Sequence, residues 1–365
     1  MQAHRRRPRR RDRDHARHRG RRWHPRPVGR SLREGSAVKR VFLTGASGFV
    51  GVYIARALRA RGHEVHVLVR PTTDRTRLEG LEVTWHEGDL ASPEDVPRAV
   101  GVAAQGAESL DVIHSGALIS YRTRDAERAR RVNVEGTRHV LDACRRHEVR
   151  RLVHVSSMVT VGHSSSGRVL DEEAAFNGAE LGVHYVTTKR AAEELALAAA
   201  DELDVVVVNP GAVFGPAPES SNSAWFLQQM ARGRVRVVPH GGVAVVGVED
   251  VAEGCLLALE RGERGRRYLL CESNLDTLSL VRCVAGIAGV RPARVRVPRP
   301  LWSALRRIVA LVDRIHPLER ATPQAIRMAA TCFYSDASRA REELGWTPGP
   351  FEDVVREAVE ELDGC

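Results

Sequence analysis

Cysteine is scarce in this sequence of 365 residues, and no apolar run is long enough to cross a lipid bilayer. The cysteines are Cys144, Cys255, Cys271, Cys283, Cys332 and Cys365. They are scattered without paired spacing, so neither a disulfide framework nor a metal site is indicated. The sequence also has no internal repeat of the solenoid type. We therefore expect a globular protein of the reducing cytoplasm, with no bound metal and no membrane contact.

Acidic residues are almost missing from the first 37 positions. This arm carries fourteen arginines against three acids, a net charge of +11, whereas the whole chain carries +10 and the remaining body therefore −1. The arm has Arg-Pro runs and no apolar periodicity, so we expect residues 1–37 to be disordered. It is either a tether to nucleic acid or another anionic surface, or a mispredicted start with translation beginning near Val38, which we favour. No nucleic acid is expected to bind the body of the chain.

A glycine-rich turn opens that body. It contains Gly45, Ser47, Gly48, Phe49, Val50 and Gly51. The β-prone run Val38–Leu43 precedes it, and Val52–Leu58 follows with apolar residues at helical spacing. In a strand–turn–helix unit of this kind, Gly45 takes a positive φ, Gly48 lets the main chain approach phosphate oxygens, and Gly51 lets the helix lie close to the strand. The pattern predicts a site for the pyrophosphate of a dinucleotide at the start of the helix, with an ordinary strand-to-helix turn as the alternative.

The second predicted strand ends in a basic residue, Arg70. An acidic residue at this position binds the ribose hydroxyls of NAD, whereas an arginine accepts the additional phosphate of NADP. Arg70, with Arg75 nearby, therefore favours NADP. NAD stays open, because Arg70 could also be an ordinary solvated arginine of a loop.

A tyrosine and a lysine follow far downstream. Tyr185 and Lys189 are four residues apart in a segment of good helix formers, so both side chains lie on one face of a predicted helix. A free phenol ionises at about pH 10, but a nearby ammonium favours the phenolate. Upstream, an apolar strand ends in Ser156 and Ser157, where a serine can hydrogen-bond a reacting carbonyl. With the glycine turn, this constellation predicts hydride transfer with Tyr185 as the acid–base; without the turn, a solvated helix face would be the better interpretation.

Further motifs occur in a recognisable order along the chain. They are Gly88-Asp89-Leu90, Ser115-Gly116-Ala117, Asn133 to Thr137, Asn209-Pro210-Gly211, Phe214-Gly215-Pro216 and Glu342 to Pro348. Together with the glycine turn and the Tyr185–Lys189 pair, they resemble the extended short-chain dehydrogenase/reductases, the NAD-dependent epimerase/dehydratase family, from about Val38 to Pro348. The segment from Val67 to Arg75 is nearest to the dihydroflavonol reductase-like, 3β-hydroxysteroid dehydrogenase-like and hopanoid-associated sugar epimerase branch.

The resemblance implies three catalytic residues. Tyr185 is the acid–base, Lys189 lowers its pKa and binds the nicotinamide ribose, and Ser157 orients the substrate oxygen. Ser157 is preferred to Ser156 because it stands five residues before Gly162, as in the family's pattern.

The resemblance also implies a set of cofactor-binding residues. They are Gly45, Ser47, Gly48, Phe49, Val50, Gly51, Arg70, Asp89, Leu90, Ala117, Asn133, Lys189 and Pro210. Within this set, Asp89 contacts the adenine, Ala117 lies along the cofactor, and Asn133 partly fixes a helix. Members of the family are often dimers, which implies a homodimer here.

Apolar strands alternate with helical segments through most of the body, which predicts an α/β fold. We expect a doubly wound parallel Rossmann sheet with a smaller, mainly C-terminal substrate lobe. The nucleotide domain is assigned to 38–216 plus about 246–269, the lobe to about 217–245 and 270–348, and a last helix to 349–365. The amphipathic segment Leu301–Ile315 carries arginines. It either covers the lobe, which we favour, or rests on a membrane and receives a lipid-like substrate.

The leading functional hypothesis is an NAD(P)-dependent oxidoreductase that acts on a ketone or secondary alcohol of a medium-sized, partly apolar molecule. The alternative is a nucleotide-sugar epimerase with retained NAD, which would use the same residues. A third hypothesis is a non-catalytic NADP sensor, which would have no need of Tyr185, Lys189 and Ser157. Dehydration of sugars is not expected, because the segment Met158–Gly162 after Ser157 lacks the neighbouring Asp-Glu pair that sugar 4,6-dehydratases use to eliminate water.

Overall fold

A parallel sheet of seven strands forms the centre of the protein. The computed structural model describes residues 39–217 and 221–363, apart from the side chains of Arg299 and Asp363, so the predicted arm 1–37 lies outside the described residues. The strands are β1 Arg40–Thr44, β2 Glu64–Val69, β3 Val83–Glu87, β4 Leu110–His114, β5 Arg151–Val155, β6 Val205–Pro210, β7 Ala212–Phe214, β8 Val237–Val238, β9 Gly242–Gly247, β10 Arg267–Leu270, β11 Ser273–Asp276, β12 Val295–Arg296 and β13 Cys332–Phe333.

Helices connect these strands. They are α1 Phe49–Ala60, α2 Asp95–Ala104, α3 Ala126–Arg130, α4 Gly136–Arg146, α5 His184–Ala198, α6 Asn222–Ala231, α7 Val248–Arg261, α8 Thr277–Ile287, α9 Arg299–Ile315, α10 Pro323–Ala329 and α11 Phe351–Asp363. A π-helical segment, Arg131–Glu135, joins α3 to α4.

The order of strands in the large sheet is β10-β6-β5-β4-β1-β2-β3, and every pair is parallel. The chain therefore winds outward in one direction from β1 and in the other direction from β4. The carboxyl ends of β1 and β4 mark the switch point, where sheets of this kind bind ligands. This architecture confirms the predicted α/β class with a doubly wound parallel sheet.

Both faces of the large sheet are covered by helices, which explains its nearly continuous apolar strands. In β1, Val41 and Leu43 belong to the core that contains α1 and α7, whereas Phe42 points into the core that contains α2 and α4. The same alternation holds in β6, where Val206 and Val207 lie on opposite faces.

A second, smaller sheet is built around β9, which pairs with β7, β11 and β13. The apolar residues of α6, α8 and α11 pack together in a third core, which includes Phe214, Leu227, Val281 and Val355. The strands β8 and β12 form a separate two-stranded pair. The boundaries assigned to the two lobes from sequence stay a prediction.

The helix α9 packs against α10, but not through its most apolar side. Its leucine and isoleucine side chains are exposed. The half-buried positions are instead Trp302, Arg306, Val309, Ala310 and Asp313, most of which share the face of the helix that meets the protein.

The glycine at the start of α1 provides a direct test of the packing between helix and turn. A Cβ atom on Gly51 would lie 2.0 Å from the carbonyl oxygen of Gly45, whereas a Cβ atom on Gly286 in α8 would meet nothing within 4 Å. We expect Gly51→Ala to lower the free energy of unfolding by about 1–3 kcal/mol, because the backbone must move apart. The matched variant Gly286→Ala should be neutral or stabilising by about 0.5–1 kcal/mol. Urea unfolding measures both, and equal shifts would contradict this account of the turn.

Candidate active site

The glycine turn lies at the switch point of the sheet. Gly45 follows β1 with a φ of +74°, and a Cβ atom on it would approach the Cα of Gly116 to 2.7 Å. Glycine is therefore required where the turn after β1 touches the loop after β4. The amide of Gly48 closes the turn by donating to the carbonyl of Gly45 at 2.9 Å.

The first turn of α1 presents free backbone amides. Gly48 precedes the helix in an extended conformation, no side chain caps it, and the first turn contains no acidic residue. The first N–H groups of a helix have no intrahelical acceptor and favour an anion, so this end fits the pyrophosphate of a dinucleotide. Around it, Ser47 and Val50 are half-buried, and the ring of Phe49 packs edge-on against Tyr53 at 6.1 Å.

A buried chain of hydrogen bonds holds the ends of β1 and β4 together. The hydroxyl of Thr137 donates to the carbonyl of Asn133 at 2.7 Å, so its oxygen accepts from Nε2 of His114 at 3.0 Å. Nδ1 of His114 then accepts the hydroxyl of Thr44 at 2.7 Å, and Thr44 Oγ1 accepts the amide of Gly116 at 3.1 Å. Burial lowers the pKa of His114 to about 3, so the imidazole is neutral and every partner is satisfied.

Asn133, predicted to bind cofactor, ties the loop after β4 to α5. Its amide nitrogen donates to the carbonyl of Leu118 and to the hydroxyl of Thr188, both at 3.1 Å. Its oxygen accepts the amide of Leu118 at 2.7 Å. These contacts hold Leu118 in place, and with it the preceding residue Ala117, which is exposed. In this structure Asn133 therefore positions the loop after β4.

Three arginines stand between β2 and β3, and the structure separates them. Arg70 directly follows β2 and is exposed. Arg75 pairs with Glu87 and stacks over the ring of Trp85 at 5.2 Å. Arg77, which was not singled out from sequence, donates to the carbonyl of Ser47 at 3.0 Å and so reaches the glycine turn.

The remaining predicted cofactor residues line the carboxyl edge of the sheet. Asp89 is exposed after β3, and its side chain accepts the amide of Ala91 at 2.9 Å. The side chain of Leu90 lies against Gly116, where a Cβ atom would meet it at 3.0 Å. Pro210 is buried at the end of β6, beside Leu270.

Tyr185 and Ser157 meet at the end of β5. Tyr185 projects from the first turn of α5, Ser157 follows the strand, and the hydroxyl of Ser157 lies near the phenol of Tyr185. Burial raises the pKa of Tyr185, and hydrogen bonding by the Ser157 hydroxyl partly opposes this change. Lys189 was expected to lower the pKa of this phenol. Among the residues that the structure describes, however, Lys189 is not one that shifts the pKa of Tyr185. At neutral pH the phenol therefore keeps its proton.

Lys189 lies one turn further along α5, fully inside the protein. Its ammonium donates to the carbonyl of Val155 at 2.8 Å, which anchors it to the end of β5. Burial lowers the pKa of Lys189 to about 8, and the carboxylate of Glu193 opposes that change. The ammonium form therefore still predominates at neutral pH.

Glu193 is a buried residue that sequence analysis missed. Its carboxylate accepts from the hydroxyl of Thr160 at 2.6 Å, from the amide of Asn209 at 2.5 Å and from Arg267 at 3.0 Å. The amide of Asn209 also donates to the carbonyl of Ser157 at 3.2 Å. The network thus joins α5, β6 and β10 to the segment that carries Ser157. Two features of the sequence could have indicated this network. One is a glutamate on the inward face of a helix, and the other is an asparagine in an apolar strand.

The smaller lobe contacts two neighbours of Tyr185 through α10 and through Thr322, the residue before it. Thr322 donates to the carbonyl of Tyr121 at 2.8 Å, and the ring of Tyr121 packs edge-on against Tyr185 at 5.8 Å. The side chain of Gln324 accepts the amide of His184 at 3.2 Å. The lobe is therefore attached next to the phenol, and Tyr121 is a further residue that sequence analysis did not single out.

The site has the parts of a dinucleotide-dependent oxidoreductase: a glycine turn at a helix start, and a tyrosine, a serine and a lysine at the same sheet edge. The sequence model of the NAD dependent epimerase/dehydratase family matches residues 41–271. The chain belongs to this family, which confirms both the resemblance and the prediction of an enzyme.

Individual relatives agree with the assignment. Sterol demethylase protein B of Methylococcus capsulatus is 34% identical over 323 residues, which cover 87% of this chain and 96% of that protein. The 2-alkyl-3-oxoalkanoate reductase of Stenotrophomonas maltophilia is 30% identical over 328 residues, with coverages of 85% and 94%. The crystal structure of gox2253 superposes with a TM-score of 0.78 at 30% identity, covering 89% of this chain and 98% of that one.

The charge on Lys189 can be measured directly, because the chain has only one other lysine, Lys39. In protein labelled with ¹³C at lysine Cε, assigned with Lys39→Arg, we expect one resonance to titrate near pH 8. Glu193→Gln should lower the pKa of Lys189 further, since the carboxylate favours the ammonium. It should also lower the free energy of unfolding by about 2 kcal/mol, because Arg267 and Asn209 lose a charged acceptor.

The adjacent residue supplies the control. Glu194 is exposed and pairs with Arg190 on the outer side of α5, so Glu194→Gln should change stability by less than about 0.5 kcal/mol and leave the Lys189 titration in place. Equal effects of the two glutamine variants would contradict the role given to Glu193.

Proposed function

We propose that the protein is an NADP-dependent reductase or dehydrogenase that interconverts a ketone and a secondary alcohol on a medium-sized, partly apolar molecule. The observation that carries the proposal is the convergence of Tyr185, Ser157 and Lys189 at the sheet edge that also holds the glycine turn. The residues fit a dinucleotide, since the open amides of α1 can meet a pyrophosphate there. Such a cofactor, when bound, supplies or accepts the hydride.

In the reductive direction, Tyr185 gives its proton to the substrate oxygen. Its raised pKa keeps the proton available at neutral pH. After the transfer, the hydroxyl of Ser157 stabilises the phenolate by hydrogen bonding. The ammonium of Lys189, anchored at the carbonyl of Val155, would bind the ribose hydroxyls of the cofactor. Because the pKa of Lys189 is about 8, this contact should weaken as the pH rises through that value.

The preference for NADP rests on Arg70. Among the described residues no carboxylate is paired with Arg70, which is exposed beside the switch point and so free for a phosphate. Arg75 is a weaker candidate, because Glu87 and Trp85 already hold it. Arg77 adds positive charge at the turn itself through Ser47.

An apolar substrate is favoured by the side chains near the phenol and by the relatives. Tyr121 packs on Tyr185, and Ile119 of the same loop is 52% exposed. One relative is named for 2-alkyl-3-oxoalkanoates and another for sterols, and both kinds of molecule are largely apolar. A cytoplasmic location is part of the proposal, and the described cysteines, all free thiols, fit a reducing compartment.

A nucleotide-sugar epimerase is the second candidate. It would use the same tyrosine, serine and lysine, and the family is named for epimerases as well as dehydratases. The two candidates differ in cofactor use, because an epimerase oxidises and re-reduces its substrate on one retained NAD, whereas a reductase exchanges its cofactor.

Removing one hydroxyl tests the catalytic assignment. With NADPH and whichever of a 2-alkyl-3-oxoalkanoate or a keto-sterol the parent reduces faster, Tyr185→Phe should lower kcat by about a hundredfold or more, because the proton donor is lost. Binding of NADPH, followed by fluorescence, should change little. Thr187→Val, on the exposed side of the same helix, is the matched control and should retain parental turnover. Turnover of Tyr185→Phe within a few-fold of the parent would remove Tyr185 from the mechanism.

A further inference from the structure

The helix α9 exposes a continuous apolar stripe. Its members are Leu301, Leu305, Ile308, Leu311, Val312 and Ile315, and they are between 39% and 67% exposed. Because they recur at three- and four-residue spacing, they lie on one side of the helix. Soluble proteins rarely leave a contiguous apolar surface of this kind uncovered without a binding role.

A different face of α9 is attached to the protein. The indole nitrogen of Trp302 donates to the carbonyl of Ile326 in α10 at 3.3 Å. Asp313 is half-buried on the same face and accepts the amide of Leu318 at 2.8 Å. The helix is therefore held in place by one face, and the stripe is not the surface by which it packs on the lobe.

Positive charge borders the stripe. Arg307 and Arg314 are exposed on the polar side of α9, and within the described ranges no carboxylate pairs with either. On the other side, Arg306 and Arg327 line a groove of about 880 Å³, and Nε of Arg327 is buried there without a described hydrogen-bond partner. The pKa of Arg327 is lowered by burial and by the charge of Arg306, so an anion between them would relieve both effects.

We propose that α9 is a membrane-docking helix that lies in the plane of an anionic phospholipid surface. The stripe enters the boundary between headgroups and acyl chains, and the arginines contact lipid phosphates. An amphipathic helix with leucine and isoleucine on one side and arginine on the other has the composition that this mode of binding requires. No helix within residues 39–217 and 221–363 is long and apolar enough to span the bilayer, so docking would be peripheral.

The same geometry connects the docked surface to the catalytic residues. The helix α9 contacts α10 through Trp302, and α10 contacts the carbonyl of Tyr121, whose ring packs on Tyr185. The docking proposal itself does not depend on the reaction and is tested by binding alone.

The experiment uses the full chain and flotation with two kinds of vesicle, phosphatidylglycerol mixed with phosphatidylcholine, and phosphatidylcholine alone. We expect the parent to bind the anionic vesicles, and Leu305→Glu/Ile308→Glu to lower the partition coefficient by about tenfold or more. The matched control is Val102→Glu/Gln105→Glu, which changes two exposed residues at the end of α2, outside the groove beside α9, and adds the same charge. Since both variants keep the arginine-rich arm, its attraction for anionic lipid cancels in the comparison.

The outcomes distinguish membrane docking by α9 from two alternatives, which are vesicle binding by general charge or by the arm, and association with a second copy of the chain. Circular dichroism and urea unfolding first establish that both glutamate variants are folded. Equal binding by the two variants would overturn the proposal and assign any vesicle binding to general charge or to the arm. Dissociation of a dimer by the α9 variant, with unchanged vesicle binding, would also overturn it and assign the stripe to a second copy of the chain. Arg307→Gln/Arg314→Gln should weaken binding selectively on the anionic vesicles.

Discussion

The buried carboxylate of Glu193 is the interaction on which the arrangement of the active site depends. It collects hydrogen bonds from Thr160, Asn209 and Arg267, and so joins α5 to the sheet and to the segment that begins at Ser157. A charge removed from water is stabilised only when its partners are complete, and here each partner comes from a different element. The same carboxylate faces the Lys189 ammonium one helical turn away. One residue therefore fixes the position of the serine and supports the charge of the lysine.

Local patterns predicted the parts of the site that are local. The glycine turn, the strand before it and the helix after it are contiguous in sequence, and Tyr185 and Lys189 share one helix, so spacing alone could identify them. The hydrogen-bond chain from Thr44 through His114 to Thr137 could not be found in this way, because it joins side chains 70 and 23 residues apart. Each of these residues, read alone, resembles an ordinary polar residue at the edge of an apolar segment.

The amphipathic segment Leu301–Ile315 shows the limit of periodicity in another way. The pattern correctly predicts a helix with one apolar side, but it does not say what that side meets. The helix does not pack through its apolar side. It contacts α10 through the face that carries the indole of Trp302. The exposed apolar side of α9 lies on the same lobe that contacts Tyr121, whose ring packs on Tyr185.

The central claim is that the sheet edge binds an exchangeable NADP cofactor for hydride transfer, and nucleotide content tests it most directly. Purified full-length protein is denatured, any released nucleotide is identified and its stoichiometry measured, and nucleotide-free protein is titrated with NADPH and NADH. We predict protein that is purified largely empty and binds NADPH more tightly than NADH. Near-stoichiometric, tightly held NAD would contradict the NADP preference assigned to Arg70 and would identify the retained-cofactor chemistry of an epimerase.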